Sequence, residues 1–487
     1  MSIFTEHSIL ETRRQFFSRG KNALGYAALT SLLGPAMKLW GQESPQGQPT
    51  LPHFAPKVKN IIYLHMVGGP SQMDLYDYKP GMGEYYDKDL PDSIRQGQRL
   101  TTMTSGQKRF PIAPSKWKFS PAGKSGMMMN TELLPWTSKC VDDMAFIRSM
   151  HTEAINHEPA ICAMQTGSMV SGRPCIGSWV SYGLGSLNQN LPTFVVLVAE
   201  PTNKEQIQAI SGRLWSSGFL SGEHAGVSFR SSGDPILFIS NPAGVPGDLR
   251  RRQLDGLNAL NQINYRKVGD PETHTRIQQF EMAFRMQTSV PELTNLSSES
   301  EATMNLYGDE VKKPGTFTST CLLARRLVER GVRFVQVYLN NWDHHSNVSG
   351  RLPMQCKDID QATYALMQDL KARGLWDETL IIWGGEFGRT IYSQGGLTKA
   401  NYGRDHHPRC FTMWLAGGGI KGGVTYGQTD DFSYNIVENP VHVRDLHATI
   451  LQQLGIDHRK FTVKWQGADM KLTGVDAEGQ VVKDILA

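Results

Sequence analysis

The chain of 487 residues lacks the cysteine spacing of a structural zinc ribbon or of a thioredoxin-like redox site. Its six cysteines are scattered without a Cys-x-x-Cys pair, which disfavours both motifs. After residue 42 no apolar run is long enough to cross a bilayer, and no internal repeat predicts a solenoid or filament. The apolar fraction is an ordinary 39%, and this length can bury one large core or two modest ones.

An excess of charge of one sign is missing as well. The formal net charge is +4, but residues 1–42 hold five basic and two acidic residues, which leaves 45 basic against 44 acidic residues in the remainder. No basic arm or run stands out along the chain. We therefore expect no nucleic-acid partner.

The N-terminal segment has the order of a twin-arginine export signal. Arg13-Arg14 precede Phe16-Phe17, and a moderately apolar stretch follows from 23 to 37. That stretch is too short and too glycine-rich for a membrane span; an amphipathic N-terminal helix is the alternative. We expect residues 1–42 to be the signal and 43–55 a linker, the twin-arginine translocase to be a partner, and the location to be periplasmic or extracytoplasmic. Because no Ala-x-Ala site occurs near residues 36–45, a leader that stays uncleaved as an anchor is the other outcome.

The remainder alternates buried strands with amphipathic helices, which predicts an α/β sandwich with a mostly parallel central sheet flanked by helices. Strands are predicted at 60–66, 144–148, 193–199, 236–240, 332–339, 379–383 and 411–416, and helices at 160–167, 319–329, 359–372 and 443–454. The predicted strands at 332–339 and 379–383 contain β-branched runs without alternation, which suit strands covered on both faces. Residues 248–308 are polar and helical in pattern. We expect a single domain over 56–487 with this segment as a helical insertion.

Three loops in the second half carry side chains that bind metals. The first two follow predicted strands, and ligands at the carboxyl ends of parallel strands meet in one crevice. Carboxylates with imidazoles favour zinc or manganese, with calcium and magnesium as alternatives. The candidate ligands in these loops are Asp343, His344, His345, Glu386, Asp405, His406 and His407. Arg389 is a candidate catalytic residue, since a guanidinium beside a metal carboxylate could hold a sulfate or phosphate oxygen.

Each of these residues also has an ordinary structural explanation. Single aspartates such as Asp343 and Asp405 often cap turns, and paired histidines can be surface loop residues. Arg389 could form a structural ion pair with Glu386, and Gly68-Gly69 could serve tight backbone geometry alone. Their occurrence together on successive strand ends favours a metal centre.

The chain resembles the DUF1501 family of exported bacterial proteins, a family related to the sulfatase and alkaline-phosphatase-like superfamily. The motifs that carry the resemblance run through nearly the whole chain in the family's order. They are the twin-arginine leader, Gly68-Gly69-Pro70-Ser71-Gln72-Met73-Asp74, Asn156-His157-Glu158, residues 324–335, Trp342-Asp343-His344-His345, Gly385-Glu386-Phe387-Gly388-Arg389-Thr390, residues 403–408 and residues 445–451.

The resemblance implies an alkaline phosphatase-like fold and a ligand set. Asp74 would be the carboxylate after the first strand, and Asp343 with His345 or His344 would be the loop pair. Glu386 would stand for the Asp of the later pair, and His406 or His407 would be the final His. Phe387 stands where that later pair usually has its His, which weakens one of the two metal sites. One or two divalent ions are therefore expected.

The nucleophile is where the sequence departs from the superfamily. Counting back from Thr166-Gly167, which resembles the end of the sulfatase activation segment, leads to Asn156-His157, and no Cys-x-Pro-x-Arg or Ser-x-Pro-x-Arg segment occurs. A formylglycine mechanism is thus disfavoured. His157 could be a metal ligand, a general base or a nucleophile, and we favour the first two. Ser71 and Thr152 are fallback nucleophiles, each more simply a loop hydroxyl.

These expectations combine into one functional hypothesis and one alternative. The hypothesis is an exported metal-dependent hydrolase that acts on a sulfate or phosphate ester, in a small molecule or a polysaccharide, through a metal-activated water. The alternative is a non-catalytic protein of the same fold that binds polysaccharide or an exported partner. Convergence of the candidate ligands in space would favour the hydrolase.

Overall fold

A computed structural model describes residues 51–487, apart from 206, 231–234, 237, 238, 243, 399, 476 and 477. The predicted export signal and the linker up to residue 50 lie outside the described residues. So do two positions, 237 and 238, of the strand predicted at 236–240.

The described residues alternate strands and helices as the sequence predicts. The strands are β1 (Asn60–Met66), β2 (Phe119–Ala122), β3 (Met127–Asn130), β4 (Met144–His151), β5 (Phe194–Ala199), β6 (Val227–Phe229), β7 (Phe334–Leu339), β8 (Thr379–Gly384), β9 (Gly388–Ser393), β10 (Arg404–His407), β11 (Phe411–Gly417), β12 (Val424–Tyr426), β13 (Gln428–Thr429), β14 (Ile436–Glu438), β15 (Val441–His442), β16 (Val463–Trp465) and β17 (Ala468–Met470). The helices are α1 (Gln72–Leu75), α2 (Asp92–Arg95), α3 (His157–Thr166), α4 (Ile176–Leu184), α5 (Gly247–Val268), α6 (Pro271–Thr294), α7 (Glu301–Tyr307), α8 (Phe317–Glu329), α9 (Val348–Ala372) and α10 (Val443–Gln453).

The central sheet has nine strands in the order β12-β4-β11-β8-β1-β7-β5-β6, with β15 also paired to β4. β1 runs parallel to β7 and β8, and β5 runs parallel to β7 and β6. β11 is antiparallel to both β8 and β4, so β4 points the same way as β8. Since β12 and β15 are parallel to β4, β11 alone in this sheet runs against the others. The predicted mostly parallel sheet is confirmed.

Both faces of the sheet are covered, as the unbroken apolar strands indicate. Every residue of β1, β7, β8 and β11 is buried. In β1, Ile62 and Leu64 pack into one hydrophobic core together with residues of α8 and α9, whereas Ile61 and Tyr63 pack into a second core together with residues of α4 and α10. Alternate side chains of one strand thus enter opposite cores, which is the arrangement of an α/β sandwich.

The largest differences from the sequence prediction concern one strand and the bounds of two other elements. The described residues of the predicted strand at 236–240 form no strand; β6 takes the edge position beside β5 instead. α9 begins at Val348, 11 residues before the predicted start at Ile359, because Pro353 interrupts the periodic pattern without ending the helix. β4 continues past Arg148 to His151, where β15 and β11 extend its pairing.

The predicted helical insertion is made of α5, α6 and α7. Leu254 is the member of the apolar spacing on α5 that is buried, whereas Leu260 and Ile263 are exposed. Within the part of the chain that the structure describes, no helix combines the length and the apolar character needed to cross a membrane.

Candidate metal centre

The carboxyl ends of three adjacent strands bring the predicted site loops together. β1 lies between β7 and β8, so the loops that follow these strands share one edge of the sheet. Gly68, after β1, lies so close to the loop after β7 that an added Cβ would stand 2.5 Å from the backbone nitrogen of Asp343. Its φ of +119° also suits glycine alone. The hairpin of β9 and β10 and the first turn of α3 complete the site.

Four side chains from these elements converge. One ligand atom from each of His157, Asp343, His345 and His406 lies within 4.8 Å of the others. The Oδ1 atom of Asp343 is 2.7 Å from Nε2 of His345, 3.2 Å from Nε2 of His157 and 3.4 Å from Nε2 of His406. Three imidazoles and a carboxylate form a ligand set that suits zinc or manganese.

The outer nitrogen of each imidazole is held by an acceptor. Nδ1 of His345 lies 2.5 Å from Oε1 of Gln394, Nδ1 of His406 lies 2.7 Å from the carbonyl of Ile155, and Nδ1 of His157 lies 2.6 Å from Oε1 of Glu386. Each Nδ1 must therefore carry the proton, so each Nε2 presents a lone pair to the centre. Metal-binding histidines are oriented in this way.

The inner nitrogens are too close together for neutral imidazoles with nothing between them. Nε2 of His406 is 3.1 Å from Nε2 of His345, and with both Nδ1 atoms protonated neither can donate to the other. Nε2 of His157 is buried without a hydrogen-bond partner among the described residues. A cation shared by the three nitrogens satisfies all of them, so the residues present fit a metal ion.

The electrostatics of the centre also favour a cation. Burial opposes ionisation of Asp343, but Arg389 and the imidazoles of His157 and His345 beside the carboxylate outweigh it and lower the pKa of Asp343. For Glu386 burial is likewise outweighed by His157 and His65, and the pKa falls to about 2. Burial lowers the pKa of His406 to about 4 and keeps its imidazole neutral. Burial opposes protonation of His157, but Asp343 and Glu386 outweigh it and raise its pKa. The two ionised carboxylates therefore favour a positive charge at the centre.

Arg389 is bonded to groups of the protein itself. Its side chain is buried, Nε donates to the carbonyl of Gly69 at 2.9 Å, Nη1 donates to the carbonyl of Arg404 at 3.1 Å, and Nη2 donates to the carbonyl of Gly68. Nη2 also lies 2.6 Å from Oδ1 of Asp343, so the ion pair forms with Asp343 and not with Glu386. These bonds favour a positioning role for Arg389, and its predicted catalytic role stays a prediction.

Asp74 lies outside the group of four. Its Oδ2 is 2.7 Å from Nε of Arg404, and its Oδ1 is 3.2 Å from Nη2 of the same guanidinium. Ser71 Oγ donates to Oδ2 of Asp74 at 2.6 Å, and Asp74 and Arg404 are both fully buried. Asp74 therefore forms a buried ion pair with Arg404 in place of the predicted metal contact. The hydroxyl of Ser71, a fallback nucleophile, is engaged in the hydrogen bond to Asp74.

Four other predicted ligands also lie outside the group of four. Asp405 accepts hydrogen bonds from Thr101 and Thr104 at 2.6 and 2.5 Å. Nε2 of His407 is 2.7 Å from a backbone carbonyl, and burial lowers its pKa to about 4. His344 is buried, which lowers its pKa to about 3. Glu386 acts on the centre through His157 and is the outer carboxylate rather than a member of the group.

Several residues that support the centre belong to no recognisable motif. Nε2 of Gln208 donates to Oδ2 of Asp343 at 2.7 Å, and Gln394 holds His345. Both stand in loops without a motif. His65 lies 3.6 Å from Oε2 of Glu386 and was detectable in principle, because a histidine is unusual inside a fully buried strand.

A pocket of about 310 Å³ adjoins the centre through His157 and Gln208. Its lining adds Ser171, Ser211 and Arg213, whose Nη2 is 2.7 Å from Oε1 of the exposed Glu158. The pocket therefore lies on the α3 side of the centre.

The fold and this geometry define an α/β protein with a candidate metal centre at the carboxyl edge of its sheet. The chain belongs to the DUF1501 family, described as a protein of unknown function, whose model matches residues 58–486. No curated protein matches the chain.

Solved structures that are similar to the chain include three bacterial proteins. A phosphonate monoester hydrolase from Silicibacter pomeroyi is 10% identical, with a TM-score of 0.34 and coverage of 88% of this chain and 76% of the other. A sulfatase from Pseudoalteromonas sp. is 10% identical, with a TM-score of 0.34 and coverage of 92% and 72%. A protein in the alkaline phosphatase superfamily from Vibrio parahaemolyticus is 12% identical, with a TM-score of 0.35 and coverage of 85% and 72%.

Proposed function

We propose that this protein is a metal-dependent hydrolase of a sulfate or phosphate ester, with one zinc or manganese ion held by His157, Asp343, His345 and His406. The observation that carries the proposal is the common orientation of the three imidazoles. Each Nδ1 is fixed by an outer acceptor and each Nε2 points at Oδ1 of Asp343. A structural arrangement of surface histidines would not require three separate outer acceptors.

We take the number of ions as one. Phe387 stands where the resemblance would place a second-site histidine, and its buried ring lies 5.0 Å from His157 and 4.6 Å from His406, centroid to centroid. Asp74 and Asp405 are engaged by Arg404 and by threonine hydroxyls. Phe387 closes this side of the centre against water.

The residues around the ion have separate tasks in the proposed reaction. When bound, zinc or manganese supplies Lewis acidity and lowers the pKa of a water molecule toward neutrality. Glu386 holds the Nδ1 proton of His157, and Gln208 and Arg389 fix the two oxygens of Asp343. The pocket beside His157 would accept the ester, and Arg213 is placed to meet its negative charge after leaving Glu158.

The proposal extends to location and domain organisation. A single domain over 56–487 would follow a twin-arginine signal in residues 1–42, read from Arg13-Arg14 and the apolar stretch behind them. Because that pathway moves folded proteins, the ion would be bound before export. Tagging the full chain and fractionating cells, with Arg13→Lys/Arg14→Lys as the export-blocked control, tests this part.

The first experiment measures metal content of the purified protein by elemental analysis. Wild type should carry close to one zinc or manganese per chain, and His345→Ala and Asp343→Ala should each lose it. His274→Ala is the matched control, since His274 is an exposed histidine on α6. Metal-free wild type after metal-replete expression would remove the basis for the hydrolase.

The second experiment measures hydrolysis of aryl sulfates, phosphomonoesters and phosphodiesters by the metal-loaded protein. Activity that chelation abolishes and that Asp343→Ala lacks would support the proposal. A stoichiometric metal with no turnover of any ester class would instead direct attention to the non-catalytic alternative, the binding of polysaccharide or of an exported partner.

A further inference from the structure

A second polar pocket, of about 340 Å³, lies away from the residues of the metal centre. It is bounded by Arg148 of β4, by Asp77 and Lys79 after α1, by residues 425–429 across β12 and β13, and by Glu438 and Asn439. None of these residues belongs to the group of four or to its direct partners. The volume is at the lower end of the range for small-molecule sites.

Lys79 and Asp77 in the wall of this pocket form an ion pair with each other. Oδ2 of Asp77 accepts hydrogen bonds from Thr429 and Ser433 at 2.5 and 2.6 Å, and Nζ of Lys79 lies 3.2 Å from Oδ1 of Asp77. Lys79 also donates to the carbonyl of Thr429 at 3.1 Å. Glu438 is exposed at the rim. The charge of Lys79 is therefore compensated within the pocket wall.

The guanidinium of Arg148 has no such partner. It donates no hydrogen bond and enters no ion pair within 4.0 Å among the described residues, and its Nε is buried. Burial lowers the pKa of Arg148, and the more distant Asp77 only partly offsets this. Since an arginine stays charged in proteins, the half-buried guanidinium that lines this pocket, with its buried Nε–H lacking an acceptor, is the group that an anion in the pocket would meet.

We propose that this pocket binds a small polar molecule that carries one oxyanion, a sulfate, phosphate or carboxylate group on a sugar-sized body. Arg148 supplies the fork that recognises the oxyanion. Thr425, Tyr426 and Asn439 line the remaining volume and offer hydroxyl, aromatic and amide groups for a polyhydroxylated body. A bare ion would leave these groups unused.

Calorimetric titration of the metal-loaded full chain with glucose 6-sulfate and glucose 6-phosphate tests the proposal, at constant ionic strength. We expect saturable binding of at least one charged sugar, no binding of glucose, and weaker binding of inorganic sulfate. Arg148→Gln should weaken binding roughly tenfold or more. Arg252→Gln, which removes an exposed arginine paired with Asp248, should change nothing.

His345→Ala separates this pocket from the metal centre. Binding that persists in His345→Ala and is lost in Arg148→Gln supports the proposal. Binding that His345→Ala abolishes, that Arg148→Gln leaves unchanged, or that inorganic sulfate matches would overturn it, and so would the absence of saturable binding. If Arg148→Gln does not fold, Arg148→Lys keeps the charge without the fork; it should bind more weakly than wild type, and equal binding contradicts the proposal.

Discussion

Glu386 shows how a single buried carboxylate can tune the proposed centre without touching the ion. It accepts from Nδ1 of His157 at 2.6 Å and from the backbone nitrogen of Gly68 at 2.9 Å. Glu386→Gln keeps the shape and one acceptor but removes the charge that makes His157 a better ligand. Partners of this kind change metal affinity about 10- to 100-fold, so we expect a loss of that size in a chelator competition titration.

The control for that measurement is Glu378→Gln, at an exposed glutamate beside the start of β8 that pairs with Lys59. Its zinc affinity should equal that of wild type. An unchanged affinity in Glu386→Gln would show that His157 is not held by this carboxylate in the metal-bound protein.

Arg389 is the residue at which positioning and catalysis can be separated. Its donors are bonded to three backbone carbonyls and to Asp343, so Arg389→Lys loses the fork that joins the loops after β1 and β7. We expect the free energy of unfolding of the metal-free protein to fall by about 3 kcal/mol, because lysine keeps the charge but leaves buried carbonyls without their hydrogen bonds. Urea denaturation measures this. A variant of unchanged stability and reduced ester turnover would support the predicted catalytic role.

The element that sets the geometry of the centre is the glycine turn at the end of β1. A Cβ at Gly68 would meet Asp343 and Trp342 backbone atoms at 2.5–2.7 Å, and the φ of +119° disfavours any other residue. Gly68→Ala should therefore displace the loop of Asp343 and reduce both metal content and melting temperature. Gly97→Ala is the matched control, because Gly97 also has a positive φ of 64° but no atom within 4 Å of the added Cβ.

The Gly97→Ala control should be destabilised by only roughly 1 kcal/mol, the cost of an alanine at a positive φ, and it should keep its metal. Equal metal content in both glycine variants would mean that the loop after β7 adjusts without disturbing Asp343.

Elements with a strong apolar pattern in their own sequence were predictable. Elements that form only through contact with a neighbouring strand or helix were not. The runs of β1, β7, β8 and β11 identified buried strands, and Gly167 ended α3 as expected with a φ of +70°. β6, with three residues, forms only because β5 offers it an edge, and no local pattern records that. The same holds for α9, whose first residues lie across Pro353.

Across the whole molecule, the sequence predicted which loops meet but not which side chains face inward. Asp343, His345 and His406 converge, whereas their neighbours His344 and His407 are buried outside the group, His407 against the carbonyl of Tyr434. A one-residue change of register decides between these outcomes, and it depends on the β9–β10 hairpin and its irregular pairing between Arg404 and His406. Spacing alone could not resolve this choice.

The fold as a whole should lose stability in mild acid, in part through His447 of α10. Its Nε2 is 2.8 Å from the carbonyl of Met164, its ring is buried, and burial lowers its pKa from 6.5 to about 4. The unfolded chain then binds more protons between these values, so the stabilising contribution is complete above pH 6.5 and is lost as the pH falls toward 4. From pH 7.5 to pH 5 the loss amounts to about 2 kcal/mol.

His447→Gln removes this titration, because glutamine can donate to Met164 without ionising. Urea denaturation at several pH values should show that the stability difference between wild type and His447→Gln shrinks by about 2 kcal/mol from pH 7.5 to pH 5. The titrations of His344 and His407 contribute equally to the stability of both proteins, so they cancel in the difference. His274→Gln, at an exposed position, should keep a constant difference from wild type. A constant difference for His447→Gln would mean that His447 is protonated in the folded protein near its ordinary pKa.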